Sequence, residues 1–213
     1  SSLFLGCASL KRLEQAIFRD STLNNLNPAP DKLSPPQKIG EADLIDPTYT
    51  RTQADYHYSL GEALSMEGDS KRAIEEFKLV LIYDPDSVEV RLRLSAEYIK
   101  QGLMSESIEQ AERAVELDAE NLEGRLLLGG LYSSLRMYEV ARKQYEFLMI
   151  TYPDNMDVPI YMGALLAEQG KYDEAEKVFR DLAENPKNSS PYKAYYYIGR
   201  VRAEQADKEQ WPK

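Results

Sequence analysis

The sequence predicts an all-α chain, an α-solenoid of tandem helical hairpins, on three observations. Small residues recur at a fixed interval: Gly61, Ser95, Gly129 and Gly163 stand 34 residues apart, and Gly199 follows after 36. A second small ladder, Ala73, Ser107, Ala141 and Ala175, keeps the same interval, as does a bulky one, Phe77, Tyr145 and Phe179, with Ala111 as its exception. From about Ala54 onward, amphipathic runs of helical period fill the spaces between them. Such a period marks a supersecondary unit that buries its apolar face only by stacking on copies of itself.

Taken in order, residues 1–20 open on Leu3-Phe4-Leu5-Gly6-Cys7-Ala8-Ser9, and Leu10, Leu13 and Ile17 then fall at helical spacing, so a short helix is expected over about 9–20. Residues 21–53 include prolines at 28, 30, 35, 36 and 47 among Asn, Ser and Asp. Proline fixes φ and removes an amide donor, so this stretch reads as an extended linker. The array proper, 54–206, divides into hairpins at 54–87, 88–121, 122–155 and 156–191, with a partial unit at 192–206. In each, glycine or serine on the first helix is expected to face alanine or serine on the second, where backbones approach closely. Leu60, Leu94, Leu128 and Met162 precede the small residue, and Leu64, Tyr98, Tyr132 and Leu166 follow it by three, all on the inward face. Gly68, Gly102 and Gly170 fall at turns that want a left-handed residue. Asp84-Pro85 and Tyr152-Pro153 close second helices. Lys187-Asn188-Ser189-Ser190-Pro191 lengthens the last connection, and a fifth first helix is expected to end near Ala206. Residues 207–213 then read as a lengthened turn and, at Trp211-Pro212-Lys213, the start of a truncated helix, so the array is expected to continue past Lys213.

Tyr58-Ser59-Leu60-Gly61 through Ala73, Phe77 and Asp84-Pro85, and again Met162-Gly163, Gly170, Tyr172, Ala175 and Phe179, resemble the tetratricopeptide repeat family across residues 54–206. The resemblance implies a right-handed superhelical solenoid of four full repeats and a truncated fifth, whose first helices line a concave face that binds partners. His57, Arg91, Arg125, Pro159 and Tyr195 stand where the family often has tryptophan, Arg136 replaces a turn glycine, and Ala119 a terminal proline. These departures are expected to weaken individual units. Some family members grip a carboxylate tail with a cationic clamp. The matching positions here are Tyr58, Glu62, Arg93, Glu123 and Leu127, of which Arg93 alone is cationic, so that activity is not expected.

Composition narrows the chemistry. A formal charge of -10 repels phosphate backbones, so nucleic acid is not an expected partner. One cysteine and one histidine leave neither an internal disulfide nor a His/Cys metal site, and no cofactor is expected. No phosphate-binding glycine loop or hydrolytic triad is legible, so no catalytic residue is assigned and the chain is not expected to be an enzyme. His57, between Asp55 and Tyr58, invites a general-base role, but a lone histidine at a helix-packing position is far more often structural.

Three ladders are the candidate site. Counting three residues back from each small residue gives Tyr58, Leu92, Leu126, Ile160 and Tyr196, a mostly apolar row. One residue past it come Glu62, Ala96, Gly130, Ala164 and Arg200. Together these suit a groove with an apolar floor for a helix or extended segment of a partner, or equally packing between neighbouring units. Six residues back lie Asp55, Glu89, Glu123, Asp157 and Lys193. That acidic row either selects a basic partner or complements helix N-termini.

Leu5-Gly6-Cys7-Ala8-Ser9 resembles a bacterial lipoprotein processing box, with Cys7 as the acylated residue and the proline-rich stretch as a tether. On that reading the protein is lipid-anchored at the outer membrane, faces the periplasm, and scaffolds an outer-membrane, pilus or secretion complex by holding a partner protein or peptide. The alternatives are a substrate-presenting N-terminal part of a larger enzyme and a cytoplasmic adaptor in which Cys7 is incidental.

Overall fold

Asp46 accepts from the backbone amides of Thr48 and Tyr49, and Pro47 takes the first helical position, where its missing N–H leaves nothing unpaired. Helix α1 (Pro47–Glu67) therefore begins inside the stretch read as linker, ahead of Ala54. The computed structural model describes residues 46–210; Cys7, the helix expected over 9–20, the rest of the linker and Trp211-Pro212-Lys213 lie outside the described residues.

The remaining helices are α2 (Ser70–Tyr83), α3 (Val88–Lys100), α4 (Met104–Leu117), α5 (Leu122–Ser134), α6 (Tyr138–Thr151), α7 (Val158–Glu168), α8 (Tyr172–Glu184) and α9 (Pro191–Gln210). Asp69, Ser87 and Asn121 cap α2, α3 and α5 by accepting from the amides of Arg72, Val90 and Gly124. Asn155 does the same for Asp157 and Val158 at the start of α7. Hairpins close on a left-handed residue: Gly68, Gly102 and Gly170 at φ 84, 74 and 77, and Arg136 at φ 60. At each, two amides return to the first helix, as when Arg136 donates to Ser133 and Met137 to Tyr132. Asn185 and Asn188 fold the longer α8–α9 connection onto itself, and Asn188 Nδ2 donates to the Leu182 carbonyl. Past Ala206 the chain does not turn, because α9 continues helically to Gln210.

The described residues form two compact units, 46–118 with α1–α4 and 119–210 with α5–α9. In the first, α1 packs on α2, α2 on α3 and α3 on α4. Its core gathers Leu64, Ala73, Ile74, Phe77, Val80, Val90, Leu94 and Tyr98. In the second, each helix from α5 to α9 packs on the next, and α5 also touches α7. Leu127, Leu131, Tyr145, Leu148, Val158, Leu165 and Phe179 are buried there.

The repeating contact is a ring laid across a glycine. A Cβ on Gly61 would lie 2.7 Å from Phe77 Cε1, on Gly129 2.4 Å from Tyr145 Cε1, and on Gly163 2.4 Å from Phe179 Cζ. The nearest atoms over these glycines belong to the aromatic ladder, and each buried ring contributes about 1.5–3 kcal/mol by leaving water; the expected pairing of small residue with small residue is met at Ser95, which faces Ser107. The exception explains itself. Where the first helix carries Ser95, the second carries Ala111, both fully buried, and the Ser95 hydroxyl lies 2.8 Å from both the carbonyl and the hydroxyl of Ser107.

Candidate functional site

Three residues expected to weaken their units instead make a repeated clasp. His57 Nδ1 lies 2.7 Å from Glu76 Oε2, Arg91 donates to Gln110 at 2.9 Å, and Arg125 donates to Gln144 at 2.8 Å, each to the residue 19 further on. The arginines also reach back to the carbonyls of Pro85 and Ala119, and the Arg125 guanidinium sits 3.6 Å above the Phe147 ring. A polar fork thus does the work of the aromatic residue that the family often places here. His57 is buried, stacks on Tyr83 at 5.9 Å, and holds α1 to α2.

In the unit 46–118, the first helices are α1 and α3, and the side chains facing across them are polar. Tyr58 Oη donates to Glu89 Oε1 at 2.7 Å. Arg93 lies between two carboxylates, its Nε 3.5 Å from Glu62 Oε1 and its Nη2 3.9 Å from Glu89 Oε1. Lower down, Ser65 Oγ donates to Glu97 Oε1 at 2.5 Å, and Lys100 Nζ donates to that same oxygen at 2.7 Å and to Ser65 at 3.2 Å. Burial raises the Glu62 carboxyl above its usual range; Arg93 opposes the shift, and Glu89 and Glu97 add to it. The Tyr58 hydroxyl is raised as well, by burial first and then by its bond to Glu89.

This placement sorts the expected residues of the unit. Asp55 and Glu89 are exposed and Tyr58 is half-buried, all available at the surface. Glu62 is nearly covered. Leu92 at 3% exposure and Ala96 at 0% belong to the core, so no apolar floor runs through them and packing accounts for both. Asp55 lies well inside α1 rather than in its first turn, so helix capping does not explain it. Glu89 does sit in the first turn of α3, and Glu123 in that of α5. Sequence reasoning missed Ser65, Glu97 and Lys100. The available signal was Glu97 itself, an acid set between Ala96 and Tyr98 in a run of buried positions.

In the unit 119–210, the first helices are α5, α7 and α9, and the surface is different in kind. Leu126, Ile160 and Ala164 are half-buried, and Gly130 is buried. Tyr161 stacks on Tyr145 at 6.0 Å, and Ser133 donates to Glu168 at 2.7 Å. Asp157, at the mouth of α7, makes no side-chain cap. On α9, Lys193 and Tyr196 are exposed, and Arg200 lies 5.9 Å from the Tyr196 ring. Ala164 and Arg200 meet in one cleft, lined also by Ala167, Phe179, Tyr197, Val201 and Glu204. Glu176 on α8 takes two bonds from Arg202 of α9, at 2.8 and 2.7 Å, and two from Arg180. Those bonds, from Arg202 and then Arg180, hold its carboxyl down to about 2.

Among the described residues, no group of three or more His, Cys, Asp or Glu could hold a metal ion, and no helix is long and apolar enough to cross a membrane. Sequence models of the tetratricopeptide repeat match residues 88–121, 126–190 and 162–209, together more than half of the chain. No curated protein matches the sequence. A crystal structure of the MamA protein is similar at 19% identity and TM-score 0.57, covering 76% of this chain and 96% of that one. A second MamA structure is similar at 21% identity and TM-score 0.55, covering 71% and 98%. YrrB, described as a TPR protein with an unusual peptide-binding site, is similar at 20% identity and TM-score 0.54, covering 72% and 78%. Likeness at this level of identity is likeness of fold.

Proposed function

The chain belongs to the tetratricopeptide repeat family, and from that premise we propose that its first-helix faces hold a peptide or helix of a partner protein. The family's hairpin is a protein-interaction architecture and not a catalytic one, so the chain is a scaffold. The observation that carries the binding role is the division of labour between ladders. Phe77, Tyr145 and Phe179 on the second helices are consumed in the core. Tyr58 and Glu89 on α1 and α3, and Leu126, Ile160 and Ala164 on α5 and α7, keep part of their surface open. Half-buried apolar side chains recurring from one first helix to the next suit the apolar face of a partner segment. A peptide-binding site is described for YrrB, which has the same fold.

Leu126→Glu combined with Ile160→Glu tests this, because both side chains are half-buried and tolerate a charge that Leu92 would not. Capture of the partner from a native extract is expected to be lost while the far-ultraviolet circular dichroism stays helical. Capture at wild-type level would reject these helices as the site.

The family by itself carries a general adaptor, free or as the presenting part of a larger protein. The narrower role, a lipid-anchored component of an outer-membrane, pilus or secretion assembly, rests on the Leu5–Ser9 box. Two acyl chains on Cys7 are what stable anchoring requires. Cys7→Ser in the native host is expected to move the protein from the membrane fraction to the soluble one, and unchanged fractionation removes the anchor.

A further inference from the structure

Helix α9 keeps open a face that α1, α5 and α7 bury. Over Gly61, Gly129 and Gly163 a ring of the following helix lies where a Cβ would stand, whereas a Cβ on Gly199 would meet no atom of the described residues within 4 Å. Those three hairpins turn seven residues past the glycine, at Gly68, Arg136 and Gly170. The corresponding Ala206 is still helical, so α9 runs on to Gln210 where the others fold back. The open face is apolar. Tyr192, Tyr195 and Tyr196 are 68, 59 and 57% exposed, and Gly199, Ala203 and Ala206 are exposed as well. At helical spacing these six make one stripe, opposite the buried Tyr197, Ile198 and Val201. Scattered apolar residues on a surface are ordinary, but a continuous stripe with three exposed tyrosines marks a contact surface.

The stripe is graded from bulky to small, with Gly199 between its tyrosine half and its alanine half. A second α9 laid antiparallel and crossing at Gly199 matches it at both ends. Tyr192 and Ala206 each stand seven residues from Gly199, and Tyr196 and Ala203 stand three and four, so each ring of one copy lies over an alanine of the other. The paired glycines let the two backbones approach closely at the centre. Charge agrees with shape. Exposed Lys193 and Asp207 lie on one flank, six and eight residues from Gly199, and the antiparallel copy brings each to the other. A parallel copy would set ring on ring and Lys193 against Lys193. We propose that two copies of this chain associate through α9, antiparallel about Gly199, as an isologous dimer. A helix of another protein would need no grading complementary to itself, which is why a second copy is the occupant. The proposal does not rest on the partner-binding reading above.

Sedimentation equilibrium of the full chain tests the association, and crosslinking tests its geometry. The chain is expected to dimerise with rising concentration over roughly 1–300 µM, as suits a contact the size of one helix pair. Ala203→Glu sets a carboxylate under a partner ring twice per dimer and is expected to raise the dissociation constant at least about tenfold, with helical circular dichroism unchanged because the position is exposed. Lys193→Glu and Asp207→Lys are each expected to weaken association by about threefold or more, and the two together to restore it. In a Cys7→Ser background, Gly199→Cys is expected to give a disulfide-linked dimer on mild oxidation. Ala206→Cys is not, since its two copies stand roughly 21 Å apart along the antiparallel helices, far beyond the reach of a disulfide. A monomer throughout that range, a dimer indifferent to Ala203→Glu, or crosslinking through Ala206→Cys as efficient as through Gly199→Cys would overturn the proposal.

Discussion

Glycine and ring form one unit of information in this fold. A Cβ on Gly129 would meet Tyr145 at 2.4 Å, so that position requires glycine, whereas Ser95 stands in a unit whose bulky-ladder position is only Ala111, and its hydroxyl meets Ser107. The interval of the small ladder is plain in the sequence, yet its pairing with the bulky ladder is not, since Ala73 and its equivalents offer a partner at a similar distance along the chain. Only the packing shows which one covers the glycine. The consequence is a coupling that single substitutions hide. Gly129→Ser is expected to cost about 1–3 kcal/mol by overpacking against Tyr145. The same change made after Tyr145→Ala is expected to cost close to nothing, as in the native Ser95 and Ala111 pair. Urea denaturation of the two single variants and the double variant measures the cycle, and additive losses would refute the pairing.

Helix limits depend on single residues at their ends, and here the sequence was half legible. Gly68, Gly102 and Gly170 announced their turns, because φ near +80° is free to glycine and costly to others. Asp46-Pro47 misled, since an Asp-Pro pair reads as loop punctuation until the amides of Thr48 and Tyr49 are seen to donate to the carboxylate. The four residues after Ala206 misled in the opposite direction: Asp207 through Gln210 are polar enough for a turn, and their helical state has no apolar signature. The α5–α6 hairpin keeps the same left-handed turn without glycine, with Arg136 at φ 60. Arg136→Gly relieves that conformation and is expected to stabilise by roughly 0.5–1 kcal/mol. A higher melting temperature in calorimetry checks it, and an unchanged or lower one means that the arginine side chain repays its strain.

At the scale of the whole chain, one carboxylate in each unit answers acid with the opposite sign to the other. In residues 119–210 the folded Glu176 titrates at about 2, below its unfolded value, because Arg202 and Arg180 bond it. It contributes stability that is present above the unfolded carboxylate range and lost as the pH falls toward about 2. Glu62, in residues 46–118, titrates above its unfolded value through burial, so the folded state holds that proton longer and the group favours folding more as pH falls through its raised pKa. Glu176→Gln is therefore expected to lower the urea midpoint at neutral pH, and Glu62→Gln to raise it. Both differences are expected to close in acid, and a difference of the wrong sign at neutral pH would refute the assignment. The sequence by itself determined the hairpin repeat, its period and its count of units, because a register of small and large side chains along helices is written directly in residue order. Tertiary structure alone decided which of the ladder residues meet solvent. Leu92 and Leu126 hold equivalent places in the repeat, yet one is core and the other half-open. Exposure is set by what the neighbouring helix lays over a position, and that neighbour's side chains are not fixed by the period.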